Sequence, residues 1–173
     1  MTLQEKIQAN TLALLNSFNG LNEGQLKFKP AENSWSVLEC LEHINLIGEA
    51  VFKVLTTPAP AEKTENTKTE LFGEEKLTML LVTNRAFKVP APDYVMPKGR
   101  FNSIAEATQN VTGTIDKIID LITTSPITQE THTMKHPVLG QMTKTDWAHF
   151  LITHTSRHIH QIEGLKQKSD FPV

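Results

Sequence analysis

Cys40 is the only cysteine in the chain, so no intrachain disulfide can form. No run of 18 or more apolar residues occurs, and no transmembrane helix is expected. Positive charge is not in excess: 17 Lys and Arg stand against 19 Asp and Glu, a formal net charge of -2. That leaves no basic footprint and argues against nucleic acid as the main partner. The first residues, MTLQEKIQAN, lack the positively charged start and continuous apolar stretch of a signal peptide. A glycine-rich phosphate loop, a nucleophile elbow and a paired-carboxylate motif are missing too. Together these absences point to a cytoplasmic protein that does not act on nucleic acid or span a membrane.

What remains is ordinary in bulk. The 173 residues, 39% hydrophobic and 21% charged, suit one domain, 1–173, with a substantial core. Leu3, Ile7, Leu14, Leu15 and Phe18 follow helical spacing up to Asn19-Gly20, and LNEGQLKFKPAENS then reads as a loop. Ser36 with Glu39 forms a capping box for a second helix running to about Leu55. Residues 56–69 are polar with two prolines, and form an exposed loop. A shorter helical piece covers Glu74 to Asn84, and the proline-rich VPAPDYVMPKG that follows is extended or looped. From Ser103, Ile104, Val111, Ile115, Ile118, Ile119 and Ile122 mark a third long helix that stops before Pro126. THTMKHPVLGQM is a loop or short hairpin, and the last helix runs from near Thr145 to about Gln167. Four long helices with extended connections imply an all-α bundle.

Histidine is the one residue in excess: seven are present, most in the last quarter of the chain. On a wheel of about 100° per residue with Trp147 at zero, Leu151, Ile162 and Leu165 define the buried face of the last helix. His154 and His158 fall within about 20° of its centre, whereas His149 and His160 fall on the opposite side. An i, i+4 pair on an apolar stripe is either two hydrogen-bonded core histidines or two ligands to one ion. Unpartnered buried imidazoles are costly, so something must satisfy them. His43 sits at the edge of the apolar arc of the second helix, where it is either half-exposed or turned sideways into the bundle. His132 and His136 lie in a loop whose direction periodicity does not set.

Three stretches carry a resemblance. ENSWSVLECLEHI at 32–44, RAFKVPAPDYVMP at 85–97 and HPVLGQMTKTDWAHFLITHTSRHIHQIEGLK at 136–166 resemble the DinB/YfiT-like superfamily of metal-dependent four-helix proteins. The tryptophan–serine helix start with its histidine eight residues on, combined with H-x-x-x-H-x-x-Q near the C-terminus, carries the specificity. The resemblance implies an up-down-down-up bundle, frequent homodimers, and three metal-binding histidines that match His43, His154 and His158. It also implies chemistry with low-molecular-weight thiols such as bacillithiol or mycothiol, either S-transfer or isomerisation of thiol adducts.

Three neutral imidazoles leave a divalent ion an open coordination position and suit zinc or nickel, without excluding iron or manganese. Such a site stabilises either a thiolate or an activated water, so three functions stay open: a thiol transferase or isomerase, a hydrolase, and a non-catalytic metal-binding stress-response protein. An enzyme of this kind would act on a small-molecule substrate. No general base stands out. Gln161 could orient a ligand or a water, or make a core hydrogen bond. Glu39, Glu42 and Asp146 read as favourable charge near helix starts, Arg157 as solvated or as a partner for a substrate carboxylate, and Cys40 as a small core residue.

Overall fold

Every long helix begins where a side chain can close it. The computed structural model describes residues 1–58, 72–83, 90–125, 127 and 133–173. Helix α1 (Leu3–Phe18) starts on a capping box in which the Thr2 hydroxyl accepts from the Glu5 amide and the Glu5 carboxylate accepts from that of Thr2. The same device, Ser36 with Glu39, starts α3 (Val37–Thr56). Ser103 caps α5 (Ile104–Thr124), and Thr143 with Asp146 caps α6 (Lys144–Lys166).

The reading of residues 21–34 as an unbroken loop is corrected. Asn22 and Gln25 form a further capping box and start the short α2 (Glu23–Lys27). The piece expected at 74–84 is α4 (Gly73–Thr78) followed by a π-helical turn, Met79–Thr83. Asn84 lies outside the described residues, as do 59–69 of the expected polar loop, Arg85 to Val89 of the middle motif, and His132. Residues 133–143 form a hairpin, β1 (Thr133–His136) with β2 (Gly140–Thr143), in which His136 pairs with Gly140. Gly140 has φ +83°, the left-handed conformation that a three-residue hairpin loop demands and glycine alone takes without strain.

Named contacts give the helix directions. Asn10 bonds to Ser156 and the Ser17 carbonyl accepts from Lys166, so α1 and α6 run parallel. Glu42 reaches the amides of Lys98 and Arg100 just before α5, and Thr114 bonds to Asn45, so α3 and α5 are parallel. Trp35 lies on His158 while His43 meets His154, so α3 and α6 are antiparallel. The bundle is therefore up-down-down-up, with Leu14, Leu41, Ile44, Val51, Ile118 and Ile162 fully buried at its centre. Gly48 permits the α3–α5 approach, since a Cβ there would come to 2.9 Å from Thr114 Cγ2. Among the described residues no helix is long and apolar enough to cross a membrane.

Candidate metal centre

Helix α3 is buried almost all round over residues 40–48, because α5, α6 and the chain at 93–100 all pack on it. His43 therefore cannot be a flank residue facing water. It is 3% exposed and turned toward α6, where it meets His154 and His158 on adjacent turns. The three ring centroids are 4.7–5.0 Å apart, and one nitrogen of each ring lies within 4.8 Å of the other two. Trp35, immediately before the Ser36 cap, covers the cluster, with its ring 4.7 Å from that of His43 and stacked at 5.9 Å on His158.

A neutral imidazole has one donor and one acceptor nitrogen, and its partners decide which is which. The Val95 carbonyl can only accept, so His43 Nδ1, at 2.6 Å, carries the proton and Nε2 presents a lone pair. His158 Nδ1 donates to Gln161 Oε1 at 3.0 Å, with the same consequence. His154 has Nε2 facing His43 Nε2 at 3.4 Å, and its Nδ1 is buried with no hydrogen-bond partner. Burial holds all three rings in the neutral form. It lowers the pKa of His43, takes that of His154 well below the ordinary value, and takes that of His158 to about 3. The other two rings and Arg157 push His154 further down, and His43 and Arg157 do the same to His158. Three neutral rings that converge within 4.8 Å, two of them held by Nδ1 hydrogen bonds so that Nε2 keeps its lone pair, are a donor set that fits a divalent cation.

Glu42, adjacent to His43, does not serve the helix dipole. It is the sixth residue of α3, past the first turn, and is 1% exposed. Its two oxygens accept from Lys98 N at 2.8 Å and Arg100 N at 2.9 Å, with Arg100 Nε at 3.6 Å. That grip holds the 95–100 segment whose Val95 carbonyl orients His43. Asp146 does lie in the first turn of α6, as expected; it completes the Thr143 capping box and also accepts from the Gly73 amide, tying α4 to the start of α6. Arg157 donates to the Leu81 carbonyl at 2.7 Å and is not simply solvated. Cys40 is fully buried in the core, and burial pushes its thiol pKa up.

Two other histidines need correction. His149 points away from the cluster but is not outside, because α4 covers that side of α6. It is half-buried, with Nδ1 3.7 Å from the Glu74 carboxylate, which also pairs with Lys6. His160 is exposed, yet it stands on the rim of the cleft that the cluster opens into. This cleft has a volume of about 1220 Å³ and runs between α3, α6, the 90–96 segment and the hairpin. His136 also lines it. Its ring is held at 5.1 Å from Trp147 and 4.8 Å from Phe150, and burial lowers its pKa to about 4. No sequence signal could have shown the Val95 carbonyl. Glu42 did carry one, as a carboxylate beside a candidate ligand and too deep in its helix to act as a cap.

Fold and site together define a class: a four-helix bundle whose second and last long helices bring three histidines to the inner end of a cleft. The chain matches the DinB superfamily over residues 5–162 and belongs to it. It is similar to the uncharacterized protein YuaE of Bacillus subtilis (strain 168), with 24% identity over 153 residues, 88% of this chain and 90% of that protein. Among solved structures it is similar to TT2238, described as a four-helix bundle protein. The TM-score is 0.61 at 15% identity, covering 94% of this chain and 96% of that one, a likeness of fold. Membership of the superfamily and the three-histidine cluster are compatible with metal binding.

Proposed function

We propose that this protein is a divalent-metal-dependent enzyme acting on a small molecule, with His43, His154 and His158 as ligands to zinc or nickel and a low-molecular-weight thiol as cosubstrate. The observation that carries the metal is the convergence of one nitrogen from each ring within 4.8 Å, with the Nδ1 hydrogen bonds of His43 and His158 leaving their Nε2 lone pairs free to face the cluster. When bound, the ion supplies a Lewis acid that stabilises an anionic nucleophile at neutral pH.

The chain's own residues set the rest. Val95 and Gln161 fix the ring orientations of His43 and His158, and Glu42 braces the segment that carries Val95. Trp35, Ile47, Phe150 and Leu165 give the inner cleft an apolar wall that limits water. The one thiol of the chain, Cys40, is buried and held protonated, so a sulfur nucleophile has to enter with a cosubstrate. A cleft of about 1220 Å³ exceeds the usual 300–1,000 Å³ for one drug-sized ligand and has room for a thiol beside an electrophile. The same open coordination position would activate water, so hydrolysis is the second reading.

The test is to titrate cobalt-substituted protein with bacillithiol, mycothiol, glutathione and cysteine, watching for a sulfur-to-cobalt charge-transfer band, and then to assay each with a reactive electrophile. A band and turnover that both vanish in His158→Ala support thiol transfer. If no thiol perturbs the cobalt spectrum and none gives turnover above that variant, the thiol reading fails; hydrolysis then requires ester or amide turnover.

A further inference from the structure

The hairpin places on the cleft wall a histidine ring, His136, that the three-histidine cluster does not use. His136 Nδ1 accepts from the amides of both Val138 and Leu139, each at 3.1 Å. A nitrogen accepting twice from N–H groups bears no proton, so in the neutral ring the proton sits on Nε2. Among the described residues nothing accepts from that Nε2–H, although the ring lines the cleft. The ring cannot turn away. The Trp147 and Phe150 rings contact it, and the amides of its own tight turn fix its rotation. Phe150 in turn contacts His154 at 5.1 Å, so the centre of the His136 ring is no further than about 10 Å from that of His154, within the span of one small molecule.

We propose that His136 is a substrate-contacting specificity residue, whose Nε2–H donates to an acceptor oxygen, carbonyl or carboxylate, of the small molecule bound beside the three-histidine cluster. A polar group fixed by packing and by its own hydrogen bonds is the kind of feature that orients a ligand in an otherwise apolar pocket. The chemistry is that of a neutral donor: it binds an oxygen without adding charge, and it rejects an analogue that places a donor or a methyl group there. This inference rests on the small-molecule reading of the cleft, but not on the metal.

The experiment uses full-length protein with ¹⁵N-labelled histidine, both metal-free and zinc-loaded, and three probes: acetate, N-methylacetamide and glutathione. Long-range proton–nitrogen spectra are expected to show His136 as the Nε2–H tautomer, with Nε2 shifting as a probe is added. Acetate acting alone identifies a carboxylate, and N-methylacetamide acting alone an amide carbonyl. In His136→Phe, which keeps the aromatic packing, the dissociation constant of the effective probe should rise about tenfold, the loss of one hydrogen bond. His136→Gln, which restores a donor near the Nε2 position, should return it to within about threefold. Cobalt stoichiometry and spectrum should be unchanged in both variants. An Nδ1–H tautomer, no probe shifting the ring, or equal affinity in His136→Phe would each overturn the proposal, as would loss of cobalt from His136→Phe. Failure of the wild-type protein to take up any metal would sink the metal reading alone, because the metal-free titration still decides the role of His136.

Discussion

Glu42→Ala is the substitution that most sharply separates a bracing role from mere helix charge. The carboxylate is buried and accepts two backbone amides at 2.8 and 2.9 Å, joining α3 to the segment whose Val95 carbonyl orients His43. Hydrogen bonds to a charged group contribute about 1.5–3 kcal/mol each. Lys98 and Arg100 are exposed residues, so water can take over their amides once the carboxylate is gone, and the lower part of that range applies. The expected loss is about 3–4 kcal/mol of unfolding free energy. Glu42→Gln keeps one acceptor oxygen but turns an NH₂ toward the second amide, and should lose about half as much. With Val95 less firmly placed, the divalent-ion affinity should fall about tenfold, at the lower end of what removing an outer partner of a ligand does. Urea unfolding of the metal-free protein reads the first quantity, and competition against a chromophoric chelator reads the second. Stability within about 0.5 kcal/mol of wild type together with unchanged affinity would refute the reasoning, because that is how an ordinary surface charge behaves.

Gly48→Ala should destabilise by about 1–2 kcal/mol, since the new methyl meets Thr114 Cγ2 while the Thr114 hydroxyl is held by Asn45 at 2.8 Å. Thermal melts of Gly48→Ala with and without Thr114→Ser check this, because the smaller side chain should recover part of the loss; equal melting in all three proteins contradicts it. The metal-free protein should also lose stability in acid. Burial lowers the pKa of His158 to about 3, so as pH falls below the unfolded value near 6.5 the unfolded chain takes up the proton first, and the stabilisation present above that value is lost progressively toward pH 3. Between pH 7.5 and 5.5, His158 alone accounts for about 1.4 kcal/mol, and His43 and His154 add to it with the same sign. Urea curves that coincide at the two pH values would show that these rings are not buried in the neutral form.

The long helices were readable because each signals itself locally. Ser36 with Glu39 is a cap that the isolated stretch of sequence displays, Asp146 marks the first turn of the last helix, and apolar spacing supplies the rest. The inward pair His154 and His158 was readable for the same reason, since one helix wheel places both. What stayed hidden depends on distant chain. Five residues of α2 are too few to show a period. A wheel gives the direction of His149 but not the presence of α4 on that side, and the partners of Glu42 come from the approach to α5. His136 was ambiguous until the hairpin register set which of its nitrogens the turn amides would occupy.

In the proposed function, three imidazoles of one chain hold one ion. Elemental analysis of protein reconstituted with zinc and dialysed, joined to X-ray absorption at the metal edge, tests it directly. One ion per chain is expected, with imidazole nitrogens at about 2.0–2.1 Å. Occupancy should fall sharply in His43→Ala, His154→Ala and His158→Ala, and should be unchanged when His149 and His160 are both replaced by alanine. Wild-type protein that retains no ion, or an ion that persists when His154 is replaced, would contradict it.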